Sequence, residues 1–582
     1  MNKKEKILLR YLKQNEKKVT QRELASRFAI SLGSVNQLIQ GLMDKDLLNQ
    51  SLNVSGIKFE HPKRAIILAA GFGMRMVPIN TEYPKGLLEV KGEPLIERLV
   101  KQLHEVGVHE IQIVVGFMKE HYEYLIDDYG VSLIVNPNYS EKKNLYSLGL
   151  ACQNSSLAST YIVPCDVYCQ ENPFAKDELG SWYMVSDEKV VNSDVRINRN
   201  FDLVPVKANE KGNKMVGIAY IAEEDGQYYT DRLAQYVASS SHDNEYWETI
   251  FDEGDTYRVA ANLISADRVQ EINTYEELRE LDSNSNQLNN ATIQLISQVL
   301  QVSNDQISQI TVLKKGMTNR SFLFACQGKK YIMRIPGEGA NELIDRQKEA
   351  AIYRLLEQHS LTENVLYLNP DNGYKLTEFV SDAHNCNPLD DDDLQKCMAT
   401  LKSFHDLSLK ADFEFDLYQQ IDFYEQLRGS QSSYRDYDWV KERVLGLKSY
   451  LDSLDKQWTL CHIDANPDNF LIEQNGHTML IDWEYAAMQD PDLDVAMFAI
   501  YALYDRQQTD HLLDLYYNGK CESTVRLKVY AYMATCGLLW SNWCEYKNTL
   551  GVDFGEYSLR QYRYAKEYSK LVYEILEGKA DA

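Results

Sequence analysis

The chain reads Cys461-His462-Ile463-Asp464-Ala465-Asn466-Pro467-Asp468-Asn469, followed by Leu480-Ile481-Asp482-Trp483-Glu484. Asp464 and Asn469 share one predicted loop, and Asp482 follows a short apolar strand. Phosphoryl transfer through a loose transition state needs positioning and charge neutralisation more than covalent chemistry. The pattern therefore predicts that Asp464 deprotonates an acceptor hydroxyl while Asn469 and Asp482 hold Mg²⁺. The alternative is that all three are polar loop caps.

The other parts of a nucleotide site are predicted upstream in chain order. Residues 316–319 lie between two predicted strands and are expected to cover phosphates, with Asn319 among the nucleotide-binding residues. Arg334 ends a strand where a kinase presents its nucleotide-binding cation. Glu349, on a helix predicted over 342–356, is expected to pair with Arg334. Glu378 is the remaining predicted nucleotide-binding residue.

Residues 305–575 resemble the choline/ethanolamine kinase branch of the aminoglycoside-phosphotransferase-like kinases. The resemblance rests on His462, Asp464 and Asn469, on residues 481–485, and on Arg334-Ile335-Pro336-Gly337. The chain differs from protein kinases in having Arg334 in place of Lys and no activation-loop signature after Asp482. The resemblance implies a two-lobed domain that uses ATP and phosphorylates a small molecule.

Aromatic residues near the C-terminus suggest the acceptor. Trp540 and Trp543 share one face of a predicted helix, and Tyr557 and Tyr562 follow. A quaternary ammonium group has no hydrogen to donate and is bound by aromatic faces. Together with Glu484 these residues are predicted to bind choline, as the C-terminal aromatics do in the family resembled. The alternative is that the tryptophans pack a helix core. Asp492 and Asp494 are expected to brace the catalytic loop.

A second site is predicted far upstream. The apolar strand 65–68 runs into Ala69-Ala70-Gly71-Phe72-Gly73-Met74-Arg75, and Pro84-Lys85 follows. Backbone N–H groups of Ala70, Gly71 and Gly73 are predicted to approach a nucleoside triphosphate, and Arg75 and Lys85 to stabilise charge on its phosphates. The segment has neither a P-loop Gly-Lys-Ser/Thr nor the third glycine of a dinucleotide fingerprint.

Residues 64–280 resemble the nucleoside-triphosphate transferases, and among them the bacterial choline-phosphate cytidylyltransferases. The matching segments are 114–117, 144–148, 246–248, 271–273 and Asp166. The resemblance implies that CTP is the donor, although the residues themselves leave the choice between CTP and UTP open. It also implies that Asp166, Glu271 and Asn273 hold Mg²⁺. Asn273 departs from the Asp usual in the family, which predicts weaker metal binding. Without the resemblance, Glu271 and Asn273 would equally suit an ordinary solvated loop.

The acceptor of this second site stays open between two chemistries. Trp182, Tyr183, Tyr246 and Trp247 are expected to surround a trimethylammonium group, whereas Asp194 and Glu248 suit a primary ammonium. Phosphocholine and ethanolamine-type phosphates are thus both candidates. Phosphocholine is favoured because a choline kinase and a cytidylyltransferase would catalyse consecutive steps.

The predicted fold class is multidomain α/β and α+β. A winged helix-turn-helix is predicted over 1–60, a doubly wound nucleotidyltransferase sheet over 64–282, and a two-lobed, protein-kinase-like domain over 291–582. Alternating strand and helix patterns in the central region support the doubly wound sheet. The polar segment 283–290 is predicted to be a weakly structured linker.

The first domain differs from the rest in charge. Residues 1–64 contain 13 Lys and Arg against 6 Asp and Glu, although the whole chain carries −25. Helices are predicted over 3–14, from a capping box at Thr20, and from Ser31 to about Lys45, with a wing over 47–54. DNA binding through residues 1–60 is one expectation, with Lys3, Lys4, Lys6, Lys17 and Lys18 carrying phosphate contacts. A docking or dimerisation module is the alternative.

Global features exclude several classes. The ten cysteines form no C-x-x-C pair, and no apolar run reaches membrane length, so a cytoplasmic protein with reduced thiols and no membrane partner is expected. The favoured interpretation is a bifunctional enzyme using ATP, CTP, choline and phosphocholine with Mg²⁺. Two alternatives are a sugar-phosphate nucleotidyltransferase fused to an aminoglycoside- or sugar-type kinase, and a transcriptional regulator that senses choline or nucleotide. The oligomeric state is left open.

Overall fold

The computed structural model describes residues 1–15, 19–28, 30–207, 210–254, 256–313, 319–337, 344–549 and 554–579, with the backbone alone at residue 319. The chain forms two compact units, Met1–Leu295 and Ile296–Ala582. The finer division into 1–60, 64–282 and 291–582 stays a prediction.

The first unit begins with three helices, as the sequence predicts. They are α1 (Lys3–Gln14), α2 (Gln21–Arg27) and α3 (Leu32–Met43). The predicted capping box is formed, because Thr20 and Glu23 exchange side-chain and backbone hydrogen bonds. Ser31 caps α3. In place of a wing of two strands, residues 47–54 contain a single antiparallel bridge between Leu48 and Val54.

A mixed seven-stranded sheet forms the centre of the first unit, in the order β12-β8-β11-β6-β1-β4-β5. Strands β1, β4, β5 and β6 are parallel to one another, whereas β11 is antiparallel to both β6 and β8. The strands of this unit are β1 (Arg64–Ala69), β2 (Glu89–Val90), β3 (Glu93–Pro94), β4 (Glu110–Val115), β5 (Ser132–Val135), β6 (Thr160–Pro164), β7 (Val167–Cys169), β8 (Trp182–Val190), β9 (Val195–Ile197), β10 (Leu203–Pro205), β11 (Gly212–Ile221), β12 (Ala260–Ile264) and β13 (Val269–Glu271).

Helices cover both faces of this sheet. Apolar residues of α4 pack on one face, and those of α6 and α7 pack on the other. The predicted doubly wound arrangement is therefore present, with antiparallel strands added at one side. The helices are α4 (Leu95–Glu105), α5 (Leu125–Tyr129), α6 (Asn144–Ala151), α7 (Glu223–Val237), α8 (Tyr275–Leu281) and α9 (Ala291–Leu300).

Residues 283–290 are not the weakly structured linker that their polarity predicts. Gln287 accepts from the Glu89 amide at 2.9 Å and donates to the Leu87 carbonyl at 3.1 Å. The Tyr275 hydroxyl donates to the Leu288 carbonyl at 2.7 Å. The polar side chains thus attach the segment to the first unit, because each one satisfies backbone groups there.

The second unit combines a small antiparallel sheet, in the order β14-β15-β16-β18-β17, with a helical region. Its strands are β14 (Ser308–Val312), β15 (Asn319–Cys326), β16 (Lys329–Pro336), β17 (Val365–Leu368), β18 (Lys375–Glu378), β19 (Ala383–Asn385), β20 (Thr459–Cys461), β21 (Phe470–Glu473), β22 (Thr478–Leu480) and β23 (Ala487–Gln489). Its helices are α10 (Arg346–Leu356), α11 (Asp391–Asp406), α12 (Leu417–Arg428), α13 (Tyr437–Ser453), α14 (Asp492–Tyr501), α15 (Arg506–Tyr516), α16 (Ser523–Thr549) and α17 (Glu556–Leu576). In the described part of the chain, no helix has the length and apolar character needed to cross a membrane.

Two candidate active sites

The glycine segment after β1 forms a tight loop beside Lys85. Gly73 has φ +60°, in the left-handed region that favours glycine, and a Cβ there would lie 3.3 Å from Cβ of Lys85. The Asn80 side chain donates to the carbonyls of Phe72 and Gly73 at 3.2 and 3.3 Å. These bonds hold the loop in shape, which supports its prediction as a phosphate-binding segment.

A short strand pair brings the predicted metal ligands of the first unit together. Strand β7, directly after Asp166, pairs with β13, which ends at Glu271. The Ile272 amide donates to the Asp166 carbonyl at 2.9 Å, which holds Asn273 beside the same carboxylate. Residues more than 100 positions apart therefore converge because two backbone segments are hydrogen-bonded in register.

Two cations occupy the same cluster. Lys85 Nζ forms a short ion pair with the Asp166 carboxylate and donates to Asn273 Oδ1 at 2.8 Å. Arg75 Nη2 donates to the same Asn273 oxygen at 2.7 Å. The predicted catalytic cations and two predicted metal ligands thus form one hydrogen-bonded group.

The oxygen groups of this cluster suit a divalent cation. Burial raises the pKa of Glu271, and the nearby Asp166 charge raises it further, despite Lys85 and Arg75. Negative charge is therefore incompletely compensated by the protein. Two carboxylates and an amide oxygen are the ligand types that Mg²⁺ prefers, so Asp166, Glu271 and Asn273 fit the predicted role.

The predicted acceptor residues differ in their placement. Burial raises the pKa of Glu248 to about 7, and Tyr183 donates a hydrogen bond to its carboxylate at 3.1 Å. Tyr246 is 58% exposed, with Lys143 Nζ 4.2 Å from the ring centroid. Trp247 is buried in the core. Asp194 is exposed. Asp166 and Glu271 also raise the pKa of Glu248, and Glu271 raises that of Tyr183, so both side chains lie near the metal-ligand cluster.

The prediction that Trp182 lines the acceptor pocket is wrong. Its side chain is 1% exposed, and its indole N–H donates to Glu178 at 2.9 Å. Trp182 packs on the opposite face of the sheet from Tyr183, because successive residues of a strand point to opposite faces.

In the second unit, Asp494 holds the catalytic loop. Its carboxylate accepts the backbone N–H groups of His462 and Ile463, both at 2.7 Å, and contacts His405 Nε2 at 2.9 Å. Ile463 has φ +69°, a strained conformation for a β-branched residue, and these bonds maintain it. The bracing role predicted for Asp494 is confirmed. Asp492 instead pairs with Lys528 at 2.7 Å, away from the loop backbone.

Asp464 and Asn469 are in contact, as expected for one catalytic loop. Asn469 Nδ2 donates to the Asp464 carboxylate at 3.0 Å and to its backbone carbonyl at 2.9 Å. Burial raises the pKa of Asp464 to about 7, with Asp482 adding to the rise. A carboxylate with a pKa near neutrality is suited to accept a proton.

The predicted pair of Arg334 and Glu349 is formed. Two guanidinium nitrogens donate to the two carboxylate oxygens at 2.6 and 2.8 Å, in a bidentate arrangement. Arg346, which sequence reasoning missed, donates to Glu349 at 2.9 Å and lies 3.4 Å from Glu484. Gly373 has φ +72°, and a Cβ there would lie 2.6 Å from Arg346 Nε, so glycine is required for this packing.

Carboxylates exceed cations at the centre of the kinase-like unit. One oxygen each of Glu349, Asp482 and Glu484 lie within 4.8 Å of one another. Asp482 Oδ1 is 3.8 Å from the Arg334 guanidinium, whose short bonds go to Glu349. Burial and the Asp482 charge raise the pKa of Glu484 to about 8. This excess negative charge suits Mg²⁺, with Asp482 and Asn469 as the ligands nearest to Asp464.

An aromatic cluster lies beside Asp464. Trp540 and Trp543 are 5.5 Å apart between ring centroids, and Tyr501 is 5.6 Å from Trp540 and 6.2 Å from Tyr557. The Tyr501 hydroxyl also lies near the Asp464 carboxylate and works against the rise in its pKa. Sequence reasoning missed Tyr501, because it comes from α14, far from the tryptophans in the chain.

Tyr562 does not belong to this cluster. Its ring stacks on Tyr434 at 3.8 Å, and its hydroxyl donates to Asp436 at 2.8 Å. The prediction that Tyr562 contacts the substrate is therefore wrong.

Glu378 pairs with Lys329 at 2.5 Å, and its nucleotide-binding role stays a prediction. Residues 316–318, the side chain of Asn319 and the predicted helix start at 342 lie outside the described residues.

Comparisons with known proteins match both units. Residues 310–528 match the choline/ethanolamine kinase family, and residues 65–182 match the MobA-like NTP transferase domain. The chain is 29% identical over 230 residues to choline-phosphate cytidylyltransferase of Streptococcus pneumoniae, covering 38% of this chain and 100% of that protein. It is 30% identical over 191 residues to the enzyme of that name from Haemophilus influenzae, covering 32% and 81%. The crystal structure of choline kinase LicA from S. pneumoniae is 28% identical, covers 48% of this chain and 98% of that one, and has a TM-score of 0.43.

Proposed function

This chain belongs to the choline-phosphate cytidylyltransferase family and also carries a choline/ethanolamine kinase domain, and we propose that it converts choline to CDP-choline in two steps. The kinase domain transfers the γ-phosphoryl group of ATP to choline. The cytidylyltransferase domain then joins phosphocholine to CTP and releases pyrophosphate. The product of the first reaction is the substrate of the second.

One observation carries the choice of acceptor. The Tyr501 hydroxyl lies near the Asp464 carboxylate, whose charged form it favours, and the Tyr501 ring belongs to the cluster with Trp540 and Tyr557. A trimethylammonium group among these rings would leave the hydroxyl of choline within reach of the base. Each desolvated cation–π contact contributes about 0.5–2 kcal/mol.

In the first reaction Asp464 accepts the proton of the choline hydroxyl as its oxygen attacks the γ-phosphorus and ADP leaves. Asn469 orients the Asp464 carboxylate, and Arg334, fixed by Glu349, faces the phosphates of ATP. Mg²⁺, held by Asp482 and Asn469, would neutralise phosphate charge. Positioning and charge are what this reaction requires from the protein.

In the second reaction a phosphate oxygen of phosphocholine attacks the α-phosphorus of CTP, and pyrophosphate leaves. Lys85 and Arg75 stabilise the negative charge that develops on the phosphates. Tyr183 and Glu248 are the favoured contacts of the trimethylammonium group, because both lie near the metal-ligand cluster and together offer an aromatic face and negative charge. Asp166, Glu271 and Asn273 would hold Mg²⁺, which would supply positive charge to the phosphates.

The test is incubation of the purified chain with choline, ATP, CTP and Mg²⁺, followed by mass analysis of the products. We expect CDP-choline, with phosphocholine accumulating when CTP is omitted. Ethanolamine and hexosamines in place of choline separate this proposal from the ethanolamine-type and sugar-type alternatives. A protein that binds choline and nucleotides but forms no product would instead be the sensing regulator.

As a secondary function, we propose that residues 1–60 form a winged helix-turn-helix that binds DNA. The three capped helices and the Leu48–Val54 bridge support the winged-helix interpretation. The exposed side of α3 presents Asn36, Gln37 and Gln40, which are able to contact bases. Retention of promoter DNA at physiological salt by the full chain, and its loss when the exposed Asn36, Gln37 and Gln40 are replaced by Ala, would support this function. We also propose the cytoplasmic location that the sequence predicts.

A further inference from the structure

The basic residues of α1 form a stripe along one side of the helix. Lys3, Lys6, Arg10 and Lys13 are separated by three, four and three positions, which places them on one helical face. The sequence alone associates this positive charge with nucleic acid. In the structure the stripe faces the acidic nucleotidyltransferase domain instead.

Each member of the stripe has an acidic partner in that domain. Lys3 Nζ lies 3.0 Å from Asp202, and Lys6 Nζ lies 2.6 Å from Glu224. Lys13 lies 3.9 Å from Asp177. These pairs are partly exposed and contribute little individually, but together they match a basic helix face to an acidic surface.

Arg10 and Glu178 are different, because both are buried. Arg10 is 6% exposed and Glu178 is 0% exposed. The guanidinium forms two hydrogen bonds with the carboxylate, one of them 2.8 Å long. Tyr161 and Trp182 donate to the same carboxylate at 2.6 and 2.9 Å, so four side-chain hydrogen bonds converge on Glu178.

The Arg10 guanidinium also stacks on an aromatic residue of the sheet. Its carbon lies 4.5 Å from the centroid of the Trp182 ring. Trp182 begins β8, and Tyr161 lies on β6, five residues before Asp166. The anchor therefore contacts two strands of the catalytic sheet from a residue about 150 to 170 positions away in the chain.

Helix α1 belongs to two hydrophobic cores at once. Leu8, Leu9 and Leu12 pack with α2 and α3 in the small N-terminal core. Ile7, on the same side as Arg10, packs in the core of the central sheet. A helix that is buried on both sides is part of the interior, rather than an element joined by a flexible connection.

We propose that residues 1–60 are a docked, integral part of the nucleotidyltransferase domain, held by an acidic surface that recognises α1 and anchored by Arg10 on Glu178. The positive charge of the segment then serves this docking. Lys3 and Lys6, which were expected to contact DNA phosphates, are engaged with Asp202 and Glu224. If the Arg10 charge is removed while α1 stays in place, Glu178 becomes a buried carboxylate that has lost its bidentate cation, which is strongly destabilising.

Arg10→Met in the full chain tests the proposal, because it keeps an apolar stem and removes the charge. Arg22→Met is the matched control, since Arg22 is exposed in the same three-helix segment. We expect Arg10→Met to lower the melting temperature of the nucleotidyltransferase domain by roughly 6–20 °C, as estimated from the cost of breaking a buried pair in a domain of this size. Choline phosphorylation at low temperature should match that of the control.

The double variant Arg10→Met/Glu178→Gln supplies the second arm. The uncharged amide of Gln can accept from Trp182 through its oxygen and donate through its NH2 group to the Tyr161 oxygen, whose hydroxyl then donates to the Ala175 carbonyl. We therefore expect the double variant to regain at least half of the lost melting temperature. This arm also applies if Arg10→Met alone fails to fold. Equal melting of Arg10→Met and Arg22→Met would overturn the proposal, as would a double variant less stable than Arg10→Met. The two comparisons of melting temperature use no substrate, so they remain valid even if the proposed substrates are wrong.

Discussion

In the cytidylyltransferase domain Lys85 bonds to Asp166 and Asn273, whereas in the kinase domain Arg334 bonds to Glu349, which is not a predicted metal ligand. In the first arrangement the cation pairs directly with two of the predicted metal ligands, Asp166 and Asn273. The second leaves Asp482 3.8 Å from the nearest guanidinium nitrogen. A metal ion entering the first site must compete with Lys85, and one entering the second meets carboxylates that are already in excess.

The two sites also differ in whether they need a base that accepts a proton. Asp464 has a pKa of about 7, because burial and Asp482 disfavour its charge. The phosphate of phosphocholine is already ionised near neutral pH, so the cytidylyltransferase site needs no carboxylate base. The kinase site is thus organised around a base, and the cytidylyltransferase site around cations. This contrast leads to five predictions.

Replacement of the kinase base should produce the largest effect. Asp464→Ala is expected to lower choline phosphorylation by about 10²–10⁴-fold, because it removes the proton acceptor. Formation of CDP-choline from added phosphocholine should be unchanged, since that reaction uses the other domain. Product quantification by mass spectrometry measures both rates in one preparation. Near-normal phosphorylation by the variant would remove Asp464 from its assigned role.

Lys85 is proposed to stabilise phosphate charge and also pairs with the metal ligand Asp166, and its removal should change these two effects separately. Lys85→Met is expected to lower CDP-choline formation by about 10²–10³-fold, as for other groups that stabilise transition-state charge. The residual activity should need less Mg²⁺, because Asp166 is no longer paired with Lys85. Arg334→Met is the matched variant in the kinase domain, where the Mg²⁺ requirement should not fall. An increased Mg²⁺ requirement in Lys85→Met would contradict the proposed competition.

Much of both sites is predictable from the sequence, because local motifs carry it. The loop at Asp464 and the pairing of Arg334 with Glu349 follow from spacing along strand, helix and loop. Arg346 and Tyr501 were missed, since their contacts depend on how separate elements pack. The signal for Arg346 was its position on one helical face with Glu349, three residues away.

Strand geometry explains the error at Trp182. Adjacent strand residues face opposite sides, so Trp182 and Tyr183 were never able to line one pocket, but the sequence does not show which of them faces the site. The buried partner of Arg10 was equally inaccessible, because 168 residues separate it from Glu178. Basic residues paired across such a distance look the same in sequence as residues that bind nucleic acid.

The aromatic cluster gives the next largest effect. Trp540→Ala is expected to raise the KM for choline roughly tenfold to thirtyfold, since a desolvated cation–π contact contributes up to about 2 kcal/mol. The KM for ATP should change less. Tyr562→Phe is the control, because its ring stacks on Tyr434 outside the cluster. Equal choline KM values for the two variants would return Trp540 to a purely structural role.

The two reactions should also respond differently to pH. A base with a pKa raised to about 7 is protonated as the pH falls through 7, so kcat/KM for choline should fall about tenfold between pH 8 and pH 6. At saturating phosphocholine, CDP-choline formation should decline only near the second phosphate pKa, about 6. Parallel rate measurements on one preparation provide the comparison. Coincident profiles would argue against a carboxylate base in the kinase domain alone.

Replacement of Asn by Asp should have a different effect in each site. The smallest change is expected for Asn273→Asp in the cytidylyltransferase domain. A third carboxylate beside Asp166 and Glu271 strengthens the attraction for a divalent cation, so the half-saturating Mg²⁺ concentration should fall by about threefold to tenfold. Asn469→Asp removes the amide that donates to Asp464 at 3.0 Å and places a like charge there. This change should raise the pKa of Asp464 and slow choline phosphorylation at neutral pH. If both variants lowered the Mg²⁺ requirement without loss of rate, Asn469 would be a metal ligand only, and its orientation of Asp464 would not matter for the reaction.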